Sequence, residues 1–207
     1  VSAPVLEFWF EFASTYSHLS AQRIESVAEA AGVRVVHRPF LLGPIFKNQG
    51  WHDSPFNLYA AKGAYMWRDV ARVAAKHGIA FRKPSVFPRN GLLPARIATA
   101  GESEEWLGPF VRAVYLANFR DDVDVSDVAV ARRLLGDAGA PDPAAVLARA
   151  ESLEVKTRLR ESTEEAAVRG IFGAPSFLVG DELFWGDDRL EDAVEWCRAR
   201  LETGAGA

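Results

Sequence analysis

Two short segments of this chain carry residue types that can do chemistry at places where a backbone would present them. The first is Phe12-Ala13-Ser14-Thr15-Tyr16-Ser17, which joins an aromatic run to a helical pattern. A helix start exposes unpaired N–H groups and the positive end of the dipole, so the junction suits an anion, and Ser14 adds a hydroxyl. Taken alone, Ser14 or Ser17 would serve equally as an ordinary N-cap. The second segment is Gly173-Ala174-Pro175-Ser176, immediately before a β-type run. A trans proline would simply enter the strand there. A cis Ala174–Pro175 peptide would instead aim the Ala174 backbone N–H and C=O outward, toward a ligand that has a backbone of its own.

Other candidates read two ways on spacing alone. Asp187 and Asp188 stand just before Leu190, where an acidic residue makes a good helix start. Lys62 lies about 40° around its helix from the stripe of Met66, Val70 and Val73, a boundary that suits either a cleft or solvent. Cys197 repeats with Leu190, Val194 and Leu201 on one helical face, which makes it a packing residue. As the single cysteine of the chain, it excludes an internal disulfide framework, a C-x-x-C dithiol and a cysteine-based zinc site. His18, His37, His52 and His77 match no metal-ligand spacing, so no metal is expected. Phosphate loops, dinucleotide-binding glycine patterns and hydrolase elbows are absent.

The elements that must position these groups follow from periodicity. Val5–Phe12 is short, aromatic and free of Gly and Pro, a buried strand. Ser20, Ile24, Val27, Ala28 and Ala31 then repeat at helical spacing up to Gly32. Val33–His37 alternates with β-branched residues, and the strand–helix–strand opening predicts a parallel crossover. The pattern from 57 to 170 is helical, with helices expected near 57–77, 92–100, 103–119, 126–138, 143–151 and 153–169. Ser176–Val179 and Leu183–Trp185 flank a Gly180-Asp181 turn as a hairpin, and a closing amphipathic helix follows. The two β-containing ends are too small to fold apart, so they must share one sheet, with the helical middle inserted between them.

Composition sets the outer bounds. The chain has 207 residues, 49% hydrophobic and 25% charged, ordinary for a globular protein with a sizeable core. A net charge of −4 and a pI near 5.6 supply no basic field for nucleic acid or anionic lipid. No apolar run reaches the about 18 residues needed to cross a bilayer, and Val1–Phe12 lacks the features of a signal peptide. The small-residue tail Thr203–Ala207 is expected to be flexible.

The two chemical segments gain meaning together. FWFEFASTYSHLSAQRI (8–24), RPFLLGPIF (38–46), KGAYMWRDVARVAAKHGI (62–79) and GIFGAPSFLVGDELFWGDDRLE (170–191) resemble the 2-hydroxychromene-2-carboxylate isomerase family. That family is close to kappa-class glutathione transferases and DsbA-like oxidoreductases. The resemblance implies an α/β, thioredoxin-like fold with a large all-helical insertion: 1–42 and 170–207 form the thioredoxin-like domain, and 43–169 the insert. It places Ser14-Thr15-Tyr16-Ser17 where DsbA-like enzymes carry C-x-x-C, and serine cannot form a disulfide. Ser14 matches the catalytic serine, and Ala174-Pro175 the cis-proline pair that holds the glutathione backbone. Asp187 and Asp188 match the segment that binds the γ-glutamyl end, and Lys62 matches a cofactor-binding lysine. The stretch 45–57 is about five residues longer than in better-known relatives, and Asn57 rather than Asn48 is matched to their glutathione-contacting asparagine. The function implied is a glutathione-dependent isomerase of an aromatic enone acid of the 2-hydroxychromene-2-carboxylate type, acting by reversible thiolate addition. The alternatives are a kappa-like glutathione transferase and a non-catalytic thiol- or peptide-binding protein without redox cysteines. The partners implied are glutathione and a small aromatic molecule, in a cytoplasmic protein, with a homodimer an open alternative because dimers are common among such relatives.

Overall fold

The computed structural model describes residues 3–202, with side chains through Arg200, so the tail from Thr203 and the Leu201 side chain lie outside the described residues. The expected strand–helix–strand opening forms as β1 (Val5–Phe10), α1 (Thr15–Ala30) and β2 (Arg34–Pro39), with β1 and β2 parallel. The far end of the chain returns as β3 (Ser176–Val179) and β4 (Glu182–Trp185), followed by a 3-10 turn and α10 (Leu190–Glu202). Both ends build one sheet in the order β2-β1-β3-β4, with β3 antiparallel to β1 and to β4. The pairing sets Glu7 opposite Leu178, Phe8 opposite Phe177 and Trp9 opposite Ser176.

Between β2 and β3 run α2 (Leu42–Asn48), α3 (Pro55–Leu58), α4 (Ala60–Lys76), α5 (Leu92–Ala100), α6 (Leu107–Phe119), α7 (Val128–Asp137), α8 (Pro143–Ala150) and α9 (Leu153–Val168). Alternation along β1 sends its side chains to two cores. Leu6, Phe8 and Phe10 face a large cluster that also takes Ile24 from α1, Ile97 from α5, Phe110 from α6 and Cys197 from α10. Trp9 points the other way, onto Phe40, Ile45 and Ala166. Each of these two cores takes residues from both the sheet and the inserted helices, which are therefore packed together.

Three departures from the sequence reading have local causes. The expected helix 57–77 is broken at Tyr59 (φ −114°, ψ 95°), and α4 doubles back on α3. Gly63 makes that approach possible, because a Cβ there would stand 2.1 Å from the Phe56 carbonyl oxygen. The helix expected from 103 begins at Leu107, after a turn in which Ser103 takes a positive φ of 71°. Trp106 there packs onto Gly101. Finally, α2 forms across Leu42–Asn48, where no element was expected. Its Pro44 sits in the first turn, where the missing N–H would have no intrahelical acceptor anyway.

Candidate active site

The β1–α1 junction is built so that α1 begins at Thr15 with Ser14 as its N-cap (φ −74°, ψ 120°). The Ser14 hydroxyl oxygen accepts from the Ser17 N–H at 3.1 Å, which is the ordinary capping bond. The same hydroxyl donates to the Ala174 carbonyl at 2.8 Å, a contact between residues 160 apart in sequence. The two segments singled out on chemistry thus meet, and the Ala174–Pro175 peptide is cis. Capping leaves the N–H groups of Thr15 and Tyr16 without intrahelical acceptors at the positive end of a 16-residue helix.

The neighbours of this first turn fix it in place. Buried Thr15 donates to the Met66 sulfur of α4 at 3.1 Å, and Tyr16 donates to Asp69 on the same helix at 2.9 Å. Burial, the bond to Asp69 and the nearby charges of Asp69 and Asp188 push the Tyr16 phenol well above its ordinary range. On the other flank, the Gly186 N–H donates to the Pro175 carbonyl at 3.0 Å and joins the proline segment to the loop carrying the two aspartates.

Those aspartates have different surroundings. Asp187 is buried, and its carboxylate accepts from Ser20 at 2.7 Å and from Arg23 at 2.9 Å, both on α1. Asp188 is 76% exposed and touches Arg189 at 3.1 Å. Asp187 anchors the loop to α1, while Asp188 faces solvent near Tyr16. Lys62 is exposed on the first turn of α4, with its ammonium 5.8 Å from the Phe56 ring centre. Phe56 in turn lies 6.3 Å from the Tyr16 ring, which brings Lys62 to the α4 side of the junction. Asn57 is exposed on α3, and its amide donates to Asp53 at 3.1 Å and to the Phe87 carbonyl of the α4–α5 connection at 3.5 Å. Neither of two surface depressions, one bordered by Glu25 and Val33 and one by Gln22 and His77, includes Ser14, Ala174 or Asp188.

Sequence reasoning missed Arg23, which fixes Asp187, and Glu11, whose carboxylate lies beneath the junction. It also missed the second cis peptide, Phe87–Pro88. Arg23 stands three residues after Ser20, so one helix face presents both to the loop, but nothing in the spacing names Asp187 as their partner. Cys197 is buried in the main core, and burial raises its thiol above the ordinary value. His18 is buried and His37 half-buried, and desolvation lowers each to about 4, which keeps both neutral near pH 7. Among the described residues, no group of three metal-ligating side chains forms and no helix is long and apolar enough to cross a membrane.

Comparison with known proteins bears on the fold and the family. A 2-hydroxychromene-2-carboxylate isomerase of Sphingobium xenophagum is 28% identical over 187 residues, covering 90% of this chain and 94% of that protein. A kappa 2 glutathione S-transferase of Caenorhabditis elegans is 23% identical over 205 residues, covering 93% of this chain and 91% of that protein. In three dimensions, a solved 2-hydroxychromene-2-carboxylate isomerase superposes with a TM-score of 0.84 at 22% identity, covering 98% of this chain and all of the other. The family model described as a DSBA-like thioredoxin domain matches residues 5–195. The chain is therefore a member of the DSBA-like thioredoxin domain family.

Proposed function

We propose that this protein is a glutathione-dependent isomerase acting on an aromatic enone acid of the 2-hydroxychromene-2-carboxylate type. The observation that carries the reading is the 2.8 Å contact from the Ser14 hydroxyl to the Ala174 carbonyl. It sets a hydroxyl, unpaired helix N–H groups and a pre-proline backbone around one point. That donor set fits a tripeptide thiol: two N–H groups and a hydroxyl for a thiolate, and the Ala174 backbone for the backbone of the ligand's cysteine.

Other residues fit the ends of the tripeptide. Exposed Asp188 offers a carboxylate for the γ-glutamyl ammonium, and Lys62 an ammonium for a carboxylate at the α4 side. Asp187, committed to Ser20 and Arg23, shapes the loop that presents Asp188 and Pro175. Asn57 would have to release Asp53 to reach a ligand. When bound, glutathione supplies a thiolate that adds reversibly to a conjugated alkene, so that the resulting single bond can rotate before the thiol is expelled and recovered.

The chain's own contribution is electrostatic. The dipole of α1 favours negative charge at its N-terminus by about 0.3–1 kcal/mol, and up to about 2 where the geometry is partly buried. Ser14 adds a hydrogen bond once its O–H turns from the Ala174 carbonyl to the sulfur, while its oxygen continues to cap Ser17. No residue of the Ser14–Ser17 turn needs to be a nucleophile.

The kappa-class relative favours glutathione transfer as the second reading. One experiment separates the readings: incubation of the protein with 2-hydroxychromene-2-carboxylate, with and without glutathione, following both isomers and the free thiol. Isomerisation that needs glutathione and leaves its concentration unchanged is the expected result. Consumption of the thiol would mean a transferase, and no turnover of either compound would mean a binding protein.

A further inference from the structure

Glu11 closes β1 one residue past the last paired position, directly beneath the Ser14 turn. Its carboxylate accepts the Ala13 N–H at 2.9 Å. The rest of the junction is held by groups that do not titrate near neutrality. The Glu11 carbonyl accepts from Ser14 N–H at 3.0 Å and from the Tyr115 hydroxyl at 2.8 Å, and the Phe12 carbonyl accepts from Asn118 at 3.4 Å. The Ala13 N–H is thus fastened by a group whose charge can change. Gly91 packs close over this turn, since a Cβ on it would stand 3.1 Å from the Glu11 Oε1 and 3.0 Å from the Phe12 Cβ.

We propose that Glu11 is a positioning residue of the site: its ionised carboxylate fixes the Ala13–Ser14 segment, so the charge on Glu11 sets the pose of Ser14 and makes ligand binding pH-dependent. For its ligand this proposal rests on the glutathione reading above. An ionised carboxylate is a stronger acceptor for a backbone N–H than a protonated one, so the fastening weakens on protonation. Burial pushes the Glu11 carboxyl up to about 7, opposed in part by the N–H groups of Ala13 and Ser14. The change of charge therefore falls near neutrality.

The groups facing Glu11 leave that behaviour intact. From α6 comes Tyr115, whose phenol is raised well above its ordinary value by burial and by the Glu11 charge, and so stays neutral. Against Tyr115 stand Ser17 of α1 and the His18 ring, 6.0 Å away and neutral near pH 7. Gly91 comes from the loop before α5, where nearby Arg89 is paired with Asp122. Among the described residues no basic side chain forms an ion pair with Glu11.

Two measurements test the proposal. In the ligand-free wild-type protein, the amide resonances of Ala13 and Ser14 should titrate together between pH 5.5 and 8.5, with a midpoint near 7. In Glu11→Gln, which keeps an acceptor without a charge, that titration should vanish. Calorimetry with glutathione should show wild-type affinity falling several-fold from pH 8 to pH 6, and Glu11→Gln should flatten this change. Flat Ala13 and Ser14 resonances in the wild type would overturn the proposal whether or not the variant folds. An unchanged pH profile of affinity in the variant would overturn it as well. Absence of glutathione binding at every pH, with the resonances still titrating, would instead overturn the functional reading and leave the Glu11 device standing.

Discussion

At the scale of single residues, Asp187 and Asp188 show how adjacent identical side chains acquire opposite jobs. Asp187 and Arg23 are 6% and 10% exposed at the side chain, so removing either leaves a buried charge with fewer partners. Asp187→Ala is expected to lower stability by about 3–5 kcal/mol, measured by denaturant unfolding. Asp188→Ala removes an exposed pair with Arg189 and should change stability by less than about 1 kcal/mol. Its expected effect is on glutathione affinity, read by calorimetry, as is that of Lys62→Ala. If neither Asp188→Ala nor Lys62→Ala weakens binding, Asp188 belongs to the start of the last helix and Lys62 to the solvent. The sequence offered both aspartates as equals, because the distinction depends on Ser20 and Arg23 arriving from α1, more than 160 positions away.

At the scale of elements, the legible parts were those whose signal is local. The strand–helix–strand opening, the hairpin Ser176–Trp185 and the stripe of Leu190, Val194 and Cys197 on α10 formed as the local pattern predicts, because each carries its own apolar residues into the core. The break between α3 and α4 was not legible, since it depends on Gly63 meeting the Phe56 carbonyl rather than on any pattern within the helix. Gly63→Ala would force that carbonyl away and is expected to lower stability by about 1–3 kcal/mol. Because α3 and α4 carry Phe56 and Lys62, the same change should weaken glutathione binding; normal affinity in a destabilised protein would show that the tuck does not serve the site. Cys197 tests the opposite end of the fold. Cys197→Ser places a hydroxyl in a fully buried position and should lower stability by about 1–3 kcal/mol with little effect on turnover. Lost activity at unchanged stability would contradict its packing role.

At the scale of the whole molecule, the shared cores mean that the inserted helices and the sheet should melt in one cooperative transition, although the chain folds back to close the sheet only after the insert. The desolvated titratable groups set how that stability varies with pH. His18 and His37 are lowered from 6.5 to about 4 in the folded protein, so their contribution is complete above pH 6.5 and is lost as pH falls through about 4. Glu11 is raised from 4.5 to about 7, so its contribution is complete below pH 4.5 and is lost as pH rises through about 7. Between pH 6.5 and 4.5 the two histidines outweigh the single carboxyl, and stability should fall on acidification by a few kcal/mol. Denaturant unfolding across this range checks the sign, and the fall should be steeper in Glu11→Gln, where the opposing group is gone. A parallel pair of curves would mean that Glu11 does not titrate there.

The central claim is that the α1 N-terminus and Ser14 hold the thiolate of bound glutathione, and the pH dependence of the thiolate absorbance in the complex tests it most directly. In the wild type the thiol should titrate below the about 8.5 of a free cysteine thiol, and Ser14→Ala should raise that midpoint through loss of one charge-assisted hydrogen bond. Identical titrations in the two proteins would reduce Ser14 to a helix cap and contradict the account.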